Sequence, residues 1–173
     1  MVGKIVVLSD THMPTRCKKL PPKLLDEIKQ CNLIIHAGDW CNKEMYQLLR
    51  EYAPVEGVCG NNDKEDIMDM FSNKKIIEFE GKKIGVAHGH QGEGVSSRAS
   101  TEEKAVSMFV NDQVDVVIFG HSHIPVLRKE QDVWILNPGS ATDKRKQKQF
   151  SFAVMHISES SIDIEIIKYD EKI

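Results

Sequence analysis

The chain has 173 residues, 40% of them hydrophobic and 28% charged, enough for one domain with a substantial core and too few for two. Its formal net charge of −3 at pH 7 excludes a general attraction to nucleic acid or to an anionic membrane, so any recognition of phosphate must be local. Cys17, Cys31, Cys41 and Cys59 form no C-x-x-C pair and no zinc-ribbon spacing, and free thiols in a reducing cytosol are expected.

Met1 to Lys4 lead straight into the apolar run Ile5-Val6-Val7-Leu8. That run is far shorter than a signal-peptide core or a membrane span, so a soluble, cytoplasmic protein is expected. A strand over 5–9 is followed by an amphipathic helix within 21–30, opened by two prolines and carrying apolar residues at Leu24, Leu25 and Ile28. A strand over 33–36, a helix over 43–52, a strand over 55–59 and a short helix over 65–71 complete a βαβαβ pattern, the start of a parallel, doubly wound arrangement. The texture then changes. Segments 75–80 and 82–87 read as an antiparallel hairpin. A helix from Thr101 to about Asn111 would take Thr101 as N-cap, with Lys104 where a capping box wants Glu. A strongly apolar strand over 115–119 precedes four segments, 125–130, 133–136, 150–157 and 161–168, that alternate like a β meander. The expectation is one domain over 1–173, of α/β class, built from two facing sheets with helices outside.

Six polar motifs punctuate this pattern: Asp10-Thr11-His12, Gly38-Asp39, Gly60-Asn61-Asn62-Asp63, His88-Gly89-His90, Gly120-His121-Ser122-His123 and Asn137-Pro138-Gly139-Ser140. Most follow a short run of β-branched and aliphatic residues, the signature of a buried strand, and ligands in open α/β sheets bind beyond the strand C-termini. Each motif alone also reads as a turn beside a surface residue. Their recurrence after successive strands does not. Carboxylates, imidazoles and an amide delivered to one sheet edge suit hard or borderline divalent ions, and a dinuclear metal site is the reading.

In this order the motifs resemble the calcineurin-like metallophosphoesterase family, and within it the small branch of bacterial and archaeal phosphodiesterases that also includes the metal-poor retromer subunit. The resemblance runs from Ile5 to the final strand. It implies a four-layer α/β/β/α sandwich of two facing mixed sheets. One metal would be held by Asp10, His12 and His123, and the other by Asn61, His88 and His121, with Asp39 bridging. It favours Mn²⁺, with Fe²⁺, Zn²⁺, Ni²⁺ and Co²⁺ as alternatives, and it implies hydrolysis of a small phosphoester, a diester by preference. Two such ions roughly 3.5–4 Å apart would share a hydroxide for in-line attack.

Two departures from the family pattern bear on chemistry. Asn62 stands where larger relatives place a histidine that protonates the leaving group, and an amide is no general acid. Asn42 replaces the last acid of Gly-Asp-x-x-Asp. His90 is therefore the substitute candidate for leaving-group protonation or phosphate contact. Asp63 is expected to orient a ligand by hydrogen bonding, and Gly139 and Ser140 to support the metal loops or approach substrate. His36 and His156 read as structural, and the run Asp143 to Lys148 as a solvated loop, with attraction of a polyanionic substrate as the alternative. Two rivals follow: a non-catalytic scaffold, which has no reason to keep His12, His88, His121 and His123 together, and a nuclease, which wants a basic groove with stacking aromatics. Nucleic acid is accordingly not an expected partner, and a homodimer is the default assembly.

Overall fold

The computed structural model describes residues 1–172, and Ile173 of the expected 1–173 unit lies outside the described residues. The chain begins β1 (Gly3–Leu8), α1 (Pro22–Ile28), β2 (Leu33–His36), α2 (Lys43–Arg50), β3 (Val55–Gly57) and α3 (Glu65–Met70). It continues β4 (Lys74–Phe79), β5 (Lys82–Ala87), α4 (Thr101–Ser107), β6 (Val116–Ile118), β7 (Val126–Glu130), β8 (Val133–Asn137), β9 (Phe150–Ile157) and β10 (Ile162–Tyr169). Two five-stranded sheets result, ordered β10-β9-β1-β2-β3 and β4-β5-β6-β8-β7. In the first, β1, β2 and β3 are parallel and β9 and β10 antiparallel to their neighbours. In the second, β5, β6 and β8 are parallel, with antiparallel edges β4 and β7.

The uninterrupted apolar runs are explained by burial on both faces. In β1, Ile5 and Val7 join the core between the sheets, while Val6 and Leu8 pack with Leu24, Ile28, Met45 and Leu49 of α1 and α2. In β6, Val116 and Ile118 enter the same inter-sheet core, and Val117 packs with Ala105 of α4 and with Phe109. Gly85 in β5 lets Phe109 seat, since a Cβ there would lie 2.7 Å from its ring. Helix, sheet, sheet and helix therefore stack as the four expected layers. No described helix is long and apolar enough to cross a membrane.

Two expectations are corrected. The four late segments are not one meander: β7–β8 and β9–β10 are separate hairpins in different sheets. Alternation reveals a hairpin but not which sheet receives it. What sends β8 to an interior position of the second sheet is burial on both sides, Leu136 in the inter-sheet core and Ile135 against the α4 layer, in parallel register with β6. The second correction is at α4, whose N-cap is Ser100, one residue earlier than Thr101. The Glu103 N–H donates to Ser100 Oγ at 3.1 Å and the Ser100 N–H donates to the Glu103 carboxylate at 2.9 Å. Shifting the cap by one residue places Glu103 rather than Lys104 at the third helical position and completes the capping box. Ser100→Ala should cost about 1 kcal/mol in urea unfolding, whereas Thr101→Ala should cost clearly less; equal losses would return the cap to Thr101.

Candidate metal centre

Every expected ligand lies just past the C-terminal end of a strand: Asp10 and His12 after β1, Asp39 after β2, Asn61 after β3, His88 after β5, and His121 and His123 after β6. The structure gathers them into two groups, Asp10–His12–His123 and Asp39–His88–His121, whose ligand atoms lie within 4.8 Å of one another. Asn61 joins the second group, its Oδ1 lying 3.1 Å from His121 Nδ1. Asp39 Oδ2 faces both groups, 3.4 Å from His88 Nε2 and 3.7 Å from His12 Nε2.

Local backbone geometry aims these side chains. Asp10, His12, Asp39, His121 and His123 all have φ between 46° and 67°, a left-handed conformation that costs a non-glycine residue of order 1 kcal/mol or more and persists only when its surroundings enforce it. The enforcement is visible. The Asp10 N–H donates to Gly38 O at 2.9 Å and the His12 N–H to Asp39 O at 3.1 Å, which locks the β1 and β2 loops together. Gly38, at φ 100°, allows the His88 ring to approach, since a Cβ would stand 2.7 Å from its Nδ1.

Hydrogen bonds fix which atom of each ligand is left over. Asp10 Oδ2 accepts from Ser9 Oγ at 2.7 Å and from the His121 N–H at 2.9 Å, leaving Oδ1 free. His88 Nδ1 pairs with the Ala37 carbonyl at 2.7 Å and His123 Nδ1 with the Asp143 carbonyl at 2.5 Å. A carbonyl can only accept, so both rings carry a proton on Nδ1, which leaves Nε2 as the inward atom that could take a metal. Asp10 Oδ1 and the Nε2 atoms of His12, His88 and His123 are buried with no hydrogen-bond partner. Polar atoms are not normally left this way in a protein interior. Aimed at one another in mixed oxygen and nitrogen sets, they fit divalent cations.

The electrostatics agree. Burial alone would raise the Asp39 carboxyl; the neighbouring His88 imidazole and two N–H groups of Asn62 overcome it and hold the carboxyl well below the usual carboxylate range. Burial would lower His88, but the Asp39 and Asp10 carboxylates lift it to about 9. Without metal the site thus keeps a proton on His88 at neutral pH. Burial pushes His12 and His121 down, the latter with help from His88, and burial together with His88 and His121 brings His90 to about 4.

The supporting residues sort as follows. Asp63 accepts from the N–H groups of Gly60, Asp39 and Cys41 at 2.7, 2.9 and 3.1 Å, tying the β2 and β3 loops. Burial raises its carboxyl to about 6, against the pull of those N–H donors. Asn62 turns inward rather than toward a substrate: its backbone N–H donates to Asp39 Oδ1 and its Nδ2 to Asp39 Oδ2, both at 2.9 Å. Ser140 Oγ donates to Asp10 O at 2.8 Å and is 1% exposed, holding the Asp10 loop; Gly139 turns the chain toward it at φ 72°. His90 borders the site, its ring 5.4 Å from that of His88, with Nδ1 unpartnered. His36 is buried, stacked on Trp40 and bonded to Thr11 Oγ1 at 3.0 Å, while His156 is exposed on β9. Sequence reasoning missed Ser9, Thr11 and Thr142, whose Oγ1 donates to Thr11 O at 2.5 Å. Ser9 was detectable as a hydroxyl beside a ligand carboxylate; Thr142, 131 residues from its partner, left no signal.

A four-layer sandwich with paired carboxylate–imidazole groups at the strand ends defines a metallophosphoesterase-type domain. The chain belongs to the calcineurin-like phosphoesterase superfamily, whose domain model matches residues 4–160. It is 34% identical over 164 residues to a probable metallophosphoesterase of Methanothermobacter thermautotrophicus, covering 95% of this chain and 91% of that one. Among solved structures it is similar to zinc-complexed Vps29 from Entamoeba histolytica, with TM-score 0.74, 27% identity and coverage of 95% and 98% of the two chains. An archaeal phosphodiesterase shares the fold, with TM-score 0.69, 22% identity and coverage of 95% and 99%.

Titration of His88 offers a direct check. Its folded value exceeds the ordinary 6.5, so the folded protein binds more protons than the unfolded chain between pH 6.5 and 9 and loses stability as pH rises through that window. The lowered histidines act mainly below pH 6.5 and do not mask this. Urea unfolding of metal-stripped protein should show the decline, and metal-loaded protein should not. Loading at pH 7 should release about one proton, measured by calorimetry in buffers of different ionisation enthalpy.

Proposed function

We propose that the protein is a metal-dependent phosphodiesterase whose site, within one domain spanning 1–173, holds two divalent ions. Asp10, His12 and His123 would hold one ion, Asn61, His88 and His121 the other, and Asp39 would bridge them. The observation that carries this reading is a set of four buried, unpartnered ligand atoms, two of which, His12 Nε2 and His88 Nε2, face the Asp39 carboxylate from the two groups while His123 Nε2 faces Asp10 Oδ1 at 3.5 Å. Bound there, such ions polarise phosphoryl oxygens and acidify the attacking water. The chain's own part is positional. Asn62 holds Asp39 by two hydrogen bonds, Asp63 holds the backbone beneath it, and Ser9 fixes the Asp10 carboxylate with one oxygen forward. Manganese is favoured on family grounds, and the zinc complex of Vps29 supports zinc as the nearest alternative. The four free thiols agree with a reducing, cytoplasmic setting.

His90 has a more restricted role than a standing acid. Lowered to about 4, it is neutral at pH 7 and offers one N–H donor to a phosphoryl oxygen. His90→Ala should therefore slow an alkyl phosphodiester and bis(p-nitrophenyl) phosphate by similar factors. A loss confined to the alkyl ester, of roughly 10²–10⁴-fold, would restore His90 as the general acid.

The likeness to Vps29 favours a second reading, a scaffold that binds a partner protein. It gives no reason for a buried carboxylate to be shared between two imidazole groups, and the hydrolase reading does. Asp39→Asn decides between them: occupancy of both metals and diester hydrolysis should fall together, the rate by several orders of magnitude. Two tightly held ions and unchanged turnover in that variant would refute the bridge.

A further inference from the structure

A cleft of about 500 Å³ is lined by Ser122, Ile124, Lys144, Arg145, Lys146 and Gln147. It is joined to the metal centre by the chain itself. Ser122 sits between His121 and His123, and the loop from Asp143 starts at the carbonyl that accepts from His123 Nδ1. We propose that this cleft binds a second phosphate of the substrate, making the preferred substrates small phosphoesters that carry another phosphate group, as in a nucleoside bisphosphate ester. The proposal rests on the phosphodiesterase reading above and assigns the substrate class of that site.

The cations in the cleft are presented rather than scattered. The Gln147 N–H donates to Lys144 O at 2.9 Å, closing a β-turn with Arg145 and Lys146 at its two central positions. Lys144 anchors the turn: its Nζ donates to Lys148 O at 3.2 Å and lies 4.9 Å from the centre of the Phe150 ring. Arg145 and Lys146 are exposed and make no ion pair among the described residues. Arg145 has φ 48°, a left-handed conformation that glycine adopts without strain.

The remaining wall suits an anion as well. Ser122 Oγ accepts from Asn137 Nδ2 at 3.0 Å and from the Ile124 N–H at 3.2 Å. With both acceptor positions taken, its hydroxyl proton is left to donate into the cleft. Asp143, at the start of this loop, is matched by Arg16 Nε at 3.4 Å, so it does not cancel Arg145 and Lys146. A guanidinium, an ammonium and a hydroxyl facing one cleft are the donors a phosphate group takes. Ile124, 48% exposed, gives the carbon skeleton between the two phosphates an apolar wall.

Calorimetric titration of the Mn²⁺-loaded protein with thymidine 5′-monophosphate and thymidine 3′,5′-bisphosphate tests this. The bisphosphate should bind at least about tenfold more tightly, and Arg145→Ala/Lys146→Ala should bind both alike. Arg145→Gly removes the side chain while relieving the left-handed backbone, so it should lose much of the preference and unfold no more easily than wild type. Equal binding of the two nucleotides by wild type, or a preference that survives in the double variant, overturns the proposal. Turnover of the p-nitrophenyl ester of thymidine 5′-monophosphate is scored separately. Its absence with every metal would sink the phosphodiesterase reading while the binding comparison still decides the fate of the cleft.

Discussion

Two buried carboxylates, Asp10 and Asp39, set the terms for the rest of this molecule. Each is essentially inaccessible to solvent, and a carboxylate taken out of water must be matched by donors or cations or it takes up a proton. Asp10 has one oxygen satisfied and one bare. Asp39 gathers two N–H donors from Asn62 and the charge of His88. The loops that deliver these partners must meet at one place, so the strands that carry the loops must end together. The ten strands with their helices form a frame stiff enough to hold that meeting point.

This accounts for the concentration of strained backbone at the centre. Five ligand residues sit at positive φ, and each would relax if its loop were cut free. Inter-loop hydrogen bonds, the Asp63 clamp and the buried Ser140 hydroxyl prevent it. A cation entering such a site finds its ligands already placed, and less ordering is charged against its binding.

Much of this was legible in the chain, and for identifiable reasons. Ile5 to Leu8 and Val116 to Phe119 are doubly buried strands because nothing polar interrupts them, and polar residues directly after such runs have nowhere to go but the sheet edge. Within the motifs, residue type picked out the carboxylates and imidazoles that the structure gathers into two groups. The sheet that receives a hairpin was not legible, because the period of two is the same in either sheet; only the burial of Ile135 and Leu136 on opposite faces decides it. The cap of α4 was missed by one residue, since Ser100 and Thr101 both offer a hydroxyl and only the partner three residues on separates them. Contacts that join distant loops, such as Thr142 with Thr11 or His123 with the Asp143 carbonyl, use common residue types and leave no local trace.

Each ligand group draws on both sheets. Asp10 and His12 follow a strand of the first sheet and His123 one of the second; Asp39 belongs to the first, His88 and His121 to the second. An ion seated in either group would be a rivet through the mouth of the sandwich, joining Asp10 and His12 to His123, or Asp39 to His88 and His121. The hydrophobic layer between the sheets resists separation but offers little resistance to sliding, because apolar contact is not directional. Coordination is directional. Metal would then add shear stiffness at the open edge of the sandwich, on top of what the inter-loop hydrogen bonds already provide.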